Sequence, residues 1–231
     1  MKIAVICSAG GSAFFAAYDL LIQSSLFTSD NFIIITDRNC GAESEAEVRK
    51  IDWLRLDFKT KEQFSESVFE HLLEKKVSIV LMLYSRLISK EIFSRLPTLN
   101  VHPALLPSFK GMNAVGQAFN SGVKFLGATL HTTTAEVDDG AVFGQVVSPI
   151  NVTYSKEDLN KLSFVQKTYL IVTFLESIKL ELVKFPAPDF IPRWAQNPNH
   201  SSSANPCIST PKLKKSFDEF QISTLRNCVI Q

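Results

Sequence analysis

In the segment LNVHPALLPSFKG, Asn100 and His102 stand two residues apart at the end of a short apolar run, and Pro103 and Pro107 restrict the backbone that follows. On a strand, that spacing points both side chains to the same side. An amide donor beside an imidazole suits a reaction in which a carbonyl carbon is attacked and its oxygen gains charge. One group holds the oxyanion, while the other can also move a proton. A plainer use of the same residues is a turn-capping Asn100 and an interior His102 with satisfied nitrogens, and strand-end polar residues more often serve that way. Further along, AEVDDG puts Asp138, Asp139 and Gly140 at the tip of a hairpin or broad loop between two candidate strands, ATLHTTT and AVFGQVVS.

These residues need a scaffold, and the chain supplies an alternating one. KIAVIC at 2–7 is a β-branched apolar run that passes through SAGGS into the helix-like AFFAAYDLLIQS. FIIIT at 32–36 follows, and then a third candidate strand at 52–56. At 60–76, Phe64, Val68, Phe69, Leu72 and Leu73 fall on one helical stripe behind Thr60 as N-cap, and VSIVLMLY at 77–84 is apolar enough for a strand buried on both faces. Alternation of this kind predicts an α/β fold: a Rossmann-like, open, mainly parallel sheet with helices on both faces and a cleft at the carboxyl ends of its strands. The loops to watch are therefore 8–13, 84–89 and 100–112. Residues 155–184 read as one long helix capped by Ser155. From 186 to 211, Pro, Asn and Ser clusters mark a loop or linker ahead of a short helical tail at 212–226. The expected organisation is a catalytic domain at 1–185 and a loop-rich C-terminal extension at 186–231.

With 231 residues, the chain has room for one large domain but is cramped for two. Hydrophobic residues at 45% and charged residues at 20% fit a globular protein, and 24 Lys and Arg against 23 Asp and Glu give no broad basic field for nucleic acid. A small ligand is the better expectation. Cys7, Cys40, Cys207 and Cys228 form no CxxC pair, so neither a metal site nor a disulfide framework is expected. The first apolar run is too short for a signal-peptide core and no window is long enough to cross a bilayer, so a cytoplasmic protein with no membrane partner is expected.

The stretch LNVHPALLPSFKGMNAVGQAFNSGVKFLGATLHTTTAEVDDGAVFGQ resembles the folate-dependent formyltransferases, the glycinamide ribonucleotide formyltransferases above all. It joins an N-x-H-P-x-L-L-P-x-(F/Y)-x-G block to a downstream H-x(n)-D-x-G loop, and SAGGS and LYSRLIS also fall where that family has related segments. The resemblance implies the formyltransferase fold, with Asn100, His102 and Asp138 as catalytic residues. An amine attacks the formyl carbon of 10-formyltetrahydrofolate, Asn100 and His102 hold the oxyanion, and Asp138 assists proton transfer. Asp138 is preferred to Asp139 because it stands two residues before Gly140, as the family motif requires, and Asp139 is then a turn residue. His131 is expected to be structural, and His71 and His200 have no role. The resemblance further implies a pterin pocket built largely by backbone around Arg86, Leu87 and Ile88 and by the 135–140 loop with Val137, Asp138 and Gly140, and it implies no metal. A substrate phosphate would rest on Gly10, Gly11 and Ser12, with Lys61 as a basic neighbour.

One departure bears on the acceptor. Glycinamide ribonucleotide enzymes carry an E-H-x-x-(Y/F)-P element whose Glu grips the ribose hydroxyls. This chain has SFVQKTYLIVTFLES there, and neither Gln166 nor Lys167 replaces that carboxylate; Asp218 or Glu219 from the tail is the remaining source. Glycinamide ribonucleotide is the best single named acceptor, with another amine, such as a nucleotide-linked amino sugar, as the alternative. Readings of a different class are a folate-binding module without turnover and a formyltetrahydrofolate hydrolase. The expected partner is a small, phosphorylated amine, and the expected assembly a monomer or homodimer.

Overall fold

A computed structural model describes residues 1–84 and 86–226; Ser85, within the expected pterin segment, and Cys228 lie outside the described residues. Five strands run parallel in the order β3 (Asp52–Arg55), β2 (Phe32–Thr36), β1 (Lys2–Cys7), β4 (Val77–Leu83), β5 (Thr98–His102). The sheet continues antiparallel through β6 (Phe125–Thr132), β7 (Val142–Pro149) and the two-residue β10 (Ala204–Asn205). A separate two-stranded ribbon pairs β8 (Val183–Lys184) with β9 (Arg193–Trp194). The strand order reverses direction between β1 and β4, so the connections after these two strands lead to opposite faces of the sheet and leave a crevice between them, the usual place for a ligand cleft.

The central strands are apolar throughout because both of their faces are covered. In β1, Ile3, Val5 and Cys7 face one core layer and Ala4 and Ile6 the other. The first layer is sealed by α1 (Ser12–Gln23) and by α6 (Lys156–Lys179), and the second by α3 (Lys61–Glu74) and the single turn α4 (Lys90–Phe93). Two short helices, α2 (Gly41–Val48) and α5 (Ala114–Ser121), lie between the strands in the first 150 residues. Thr60 caps α3 by accepting from the Gln63 N–H at 3.2 Å, as its position predicts, and Ser155 caps α6 in a capping box with Asp158. The stripe of α3 is narrower than its sequence suggests. Phe64, Val68 and Leu72 are buried, whereas Leu73 is 59% exposed because it has turned past the edge of the layer.

The long terminal helix is also shorter than read, ending at Lys179, after which Glu181 takes a left-handed φ of 57° and the chain turns into β8. Ala204, Ile208, Leu213 and Phe217, from the expected extension, are buried in the first core layer. Helix α7 (Pro211–Leu225) buries Leu213 and Phe217 and sets Phe217 edge-to-face against Tyr169 and Phe220 edge-to-face against Phe164 of α6. Its start is held by a carboxylate. Glu176 in α6, 1% exposed, accepts the backbone N–H groups of Ser209 and Thr210 at 2.8 and 2.7 Å. Glu176→Leu should remove the acceptor of both N–H groups, at a cost of about 0.5–1.5 kcal/mol per bond because Ser209 is exposed and Thr210 half-buried, and loosen α7, with Glu176→Gln milder because it keeps an acceptor. Limited proteolysis around 205–215 reads this directly, and equal resistance of wild type and Glu176→Leu would contradict it.

Candidate active site

Strand β5 delivers Asn100 and His102 to the same side, as their spacing predicts, and the antiparallel register places His131 of β6 directly opposite Asn100 and Thr129 opposite His102. The third member comes from the β6–β7 loop, where Asp138 adopts a left-handed φ of 52°. That conformation turns its carboxylate inward to 8% exposure, with Oδ2 3.2 Å from His102 Nδ1 and Oδ1 3.5 Å from His131 Nε2. Asn100 Nδ2 donates to Asp138 Oδ1 at 3.4 Å and lies 3.4 Å from His131 Nε2. Asn100, His102 and Asp138 thus converge from positions up to 38 residues apart.

The hydrogen-bond pattern distinguishes the two histidines. His131 Nδ1 lies 2.9 Å from the Thr132 carbonyl and donates to it, which leaves Nε2 as an acceptor facing the Asn100 amide. Burial pushes the His131 imidazole down from its ordinary value, so this ring is neutral around pH 7, although the Asp138 carboxylate pulls the other way. His102 is different. Its Nε2 lies 2.8 Å from the Phe109 carbonyl and its Nδ1 3.2 Å from Asp138 Oδ2, so both ring nitrogens face an oxygen and the ring is held at both ends. Asp138 Oδ2 also accepts the Gly111 N–H at 2.7 Å.

The loop that follows His102 is fixed from below. Thr129 Oγ1 donates to the Ala104 carbonyl at 2.7 Å and accepts from the Leu106 N–H at 3.1 Å, and Gln145 Nε2 bonds both the Leu106 carbonyl and Thr129 Oγ1. The loop then passes through positive φ at Phe109, Gly111 and Asn113. Thr129, Gln145 and His131 were not marked as functional by sequence reasoning; the available signal was polar residues at in-facing positions of otherwise apolar strands. Gly140 is obligatory for a visible reason. A Cβ there would lie 1.6 Å from the Thr132 carbonyl oxygen, at the point where the Thr132 N–H bonds the Ala141 carbonyl at 2.9 Å.

The other expected site residues are more dispersed. Arg86 forms an ion pair with Asp37 at 3.1 Å, and Arg38 grips the same carboxylate with a two-pronged contact at 2.9 and 2.6 Å. Burial raises the Asp37 carboxyl, but the two guanidinium groups outweigh it and hold the acid below its usual range. Leu87 and Val137 are exposed, and Ile88 is buried in the second core layer. Gly10 and Ser12 line a cleft of about 330 Å³ together with Asp19, Glu45 and Arg49. Gly11, at φ 61°, heads α1 with no side-chain cap. Lys61 is exposed at the first position of α3, next to Glu62, and is not among the residues lining that cleft.

On α6, the Gln166 Nε2 donates to the Leu126 carbonyl and Ser148 Oγ while its Oε1 is buried with no partner among the described residues, and burial lowers the Lys167 amine. Asp218 pairs with Lys214 at 2.6 Å and Glu219 faces solvent, so α7 offers α6 aromatic rings where a replacement carboxylate was conceivable. Among the described residues no group of His, Cys, Asp and Glu is arranged to hold a metal ion, and no helix is long and apolar enough to cross a membrane.

Comparison with known proteins places this geometry. Residues 1–173 match the family described as formyl transferase. The chain is 30% identical over 150 residues to phosphoribosylglycinamide formyltransferase of Bacillus subtilis (strain 168), covering 62% of this chain and 77% of that enzyme. It is 40% identical over 83 residues to formyltetrahydrofolate deformylase of Corynebacterium sp. (strain P-1), which is 35% of this chain and 29% of that enzyme. Among solved structures it superimposes on glycinamide ribonucleotide transformylase 1 from Symbiobacterium toebii with a TM-score of 0.74 at 25% identity, covering 85% of this chain and 94% of that one. The matched span contains the whole parallel sheet, both loops of the site and Asn100, His102 and Asp138, and on that ground the chain belongs to the formyl transferase family.

Proposed function

We propose that this protein transfers the formyl group of 10-formyltetrahydrofolate to a primary amine, with glycinamide ribonucleotide as the best single named acceptor. The observation that carries the reading is the contact of Asn100, His102 and Asp138 at the end of β5, inside the span that matches the family. Among the described residues the Asn100 Nδ2 makes two 3.4 Å contacts at the long limit of hydrogen bonding, so it can turn to a developing oxyanion at little cost. The His102 ring stands beside that oxygen as a second group able to bind it, and Asp138 keeps the ring in place and takes up the proton released by the attacking amine. The new bond joins the amine nitrogen to the formyl carbon, the bond from that carbon to N10 of the folate breaks, and N10 leaves with a proton.

The pterin ring is assigned to the loops carrying Arg86, Leu87 and Ile88 and Val137, Asp138 and Gly140, where exposed Leu87 and Val137 offer apolar surface. A phosphorylated acceptor is assigned to Gly10, Gly11 and Ser12 at the uncapped start of α1. Backbone N–H groups must do most of the holding, since Arg49 in the adjoining cleft is already bound by Asp19 and Glu45 and Lys61 stands apart. A second reading, in which water takes the place of the amine, is favoured by the local 40% identity to a deformylase.

One experiment separates the two. The protein is incubated with 10-formyltetrahydrofolate, alone and with a panel of amines that includes glycinamide ribonucleotide, and tetrahydrofolate and formate are followed. Amine-dependent release of tetrahydrofolate without formate supports transfer. Equal release with no amine, accompanied by formate, supports hydrolysis, and no release under any condition removes both.

A further inference from the structure

Two loops bring the site together, the 103–113 loop after β5 and the 133–141 loop between β6 and β7, and they touch at more than the catalytic carboxylate. Lys110 Nζ donates to Asp139 Oδ1 at 2.5 Å, an ion pair at the surface beside the buried cluster. The place of Lys110 in the chain gives this pair its meaning. Its preceding neighbour Phe109 presents the carbonyl that faces His102 Nε2, and its following neighbour Gly111 presents the N–H that bonds Asp138 Oδ2. Asp139 in turn directly follows Asp138. Phe109 at φ 54°, Gly111 at φ 81° and Asp138 at φ 52° are all in the left-handed region, which side-chain-bearing residues adopt only when their surroundings hold them there.

We propose that Lys110 and Asp139 are a positioning pair: their ion pair closes a ring through Gly111 and Asp138 that holds the Phe109 carbonyl and the Gly111 N–H against His102 and Asp138. Neither side chain meets the reacting atoms. The pair acts by keeping the His102 ring aimed between two acceptors, so its loss lowers turnover and leaves substrate binding nearly unchanged. Asp139 is more than a turn residue on this account. An exposed ion pair is weak and salt-sensitive, so the effect is modest and fades at high ionic strength.

The kinetic part of the test rests on the formyl-transfer reading, and a second readout does not. Lys110→Met and Asp139→Asn are each expected to lower kcat about three- to fivefold with KM for 10-formyltetrahydrofolate within about twofold of wild type, while Lys110→Arg retains kcat. The combined exchange Lys110→Asp with Asp139→Lys should recover most of the loss. Independently of any activity, amide hydrogen exchange at Gly111 should quicken in Lys110→Met and Asp139→Asn and return towards wild type in the exchanged pair, with Tm shifted by no more than about 1–2 °C. Unchanged exchange at Gly111 in both single variants overturns the proposal, whether or not the wild type is active. If the wild type turns over, an unaltered or raised kcat in Lys110→Met overturns it too, as does a loss as large as that of Asp138→Asn, which would put Lys110 among the reacting groups.

Discussion

His102→Ala and Asp138→Asn should each lower the rate of tetrahydrofolate release by roughly 10²-fold or more while the protein stays folded. The two residues form one unit, joined at 3.2 Å and both almost fully shielded from solvent. Removing the imidazole takes away the group beside the oxyanion, and with it the partner that the Asp138 carboxylate holds at 3.2 Å. Asp138→Asn keeps the size of the side chain but not its bonding. The position receives the Gly111 N–H, the His102 Nδ1 and the Asn100 amide, all donors, and an amide that must turn its own NH2 towards one side fails at least one of them. Losses from two residues acting as a unit do not add, so the double variant should fall little further than either single one. Steady-state kinetics and thermal melts on the three variants check this. A single variant within tenfold of wild type, or equal losses for Asp138→Asn and Asp139→Asn, would dismantle the assignment.

The second large effect is expected at a residue with no chemistry of its own. Gly140→Ala asks a methyl group to occupy space 1.6 Å from the Thr132 carbonyl oxygen, and that atom cannot give way without breaking the junction of β6 with the loop. Forced volume in a packed place costs about 1–3 kcal/mol, or roughly 2–12 °C in Tm for a chain of this size. The relief available is to push the loop outward, which carries Asp138, two residues away, off His102. Activity should therefore fall about as far as in Asp138→Asn, and it should not return when the variant is assayed well below its lowered Tm. A variant with normal turnover at low temperature would mean that the loop absorbs the methyl without moving the carboxylate.

What the sequence revealed and what it hid divide along physical lines. β1, β2 and β4 were legible because strands buried on both faces have to be apolar from end to end, and the Asn100 and His102 spacing was legible because side chains alternate along a strand. His131 could be seen but not placed, since its meeting with Asn100 depends on the β5–β6 register, set by pairing across 31 residues. β10 has two residues and so no periodicity to detect, and its presence inside the Asn- and Ser-rich stretch was hidden by composition. Leu73 was misplaced because a helical stripe fixes direction but not the width of the layer it meets. Glu176 sits in the last turn of α6 beside apolar residues, where its partners, two backbone donors more than thirty residues away, leave no local trace.

The docking of β10 has a consequence for how the molecule is made. Ala204 and Asn205 pair with Val146 and Gln145, and Gly144 is kept bare so that Pro206 and the Asn205 carbonyl can lie against it. During synthesis the strand that borders the catalytic loop therefore emerges well before the segment that covers it, and until then β7 is an open edge with unpaired backbone groups, the kind of surface through which chains join one another. A nascent or truncated chain ending near residue 185 would hold every residue assigned to the chemistry and still present β7 as an unpaired edge, so two residues more than fifty positions further along the chain guard the sheet against edge-to-edge association.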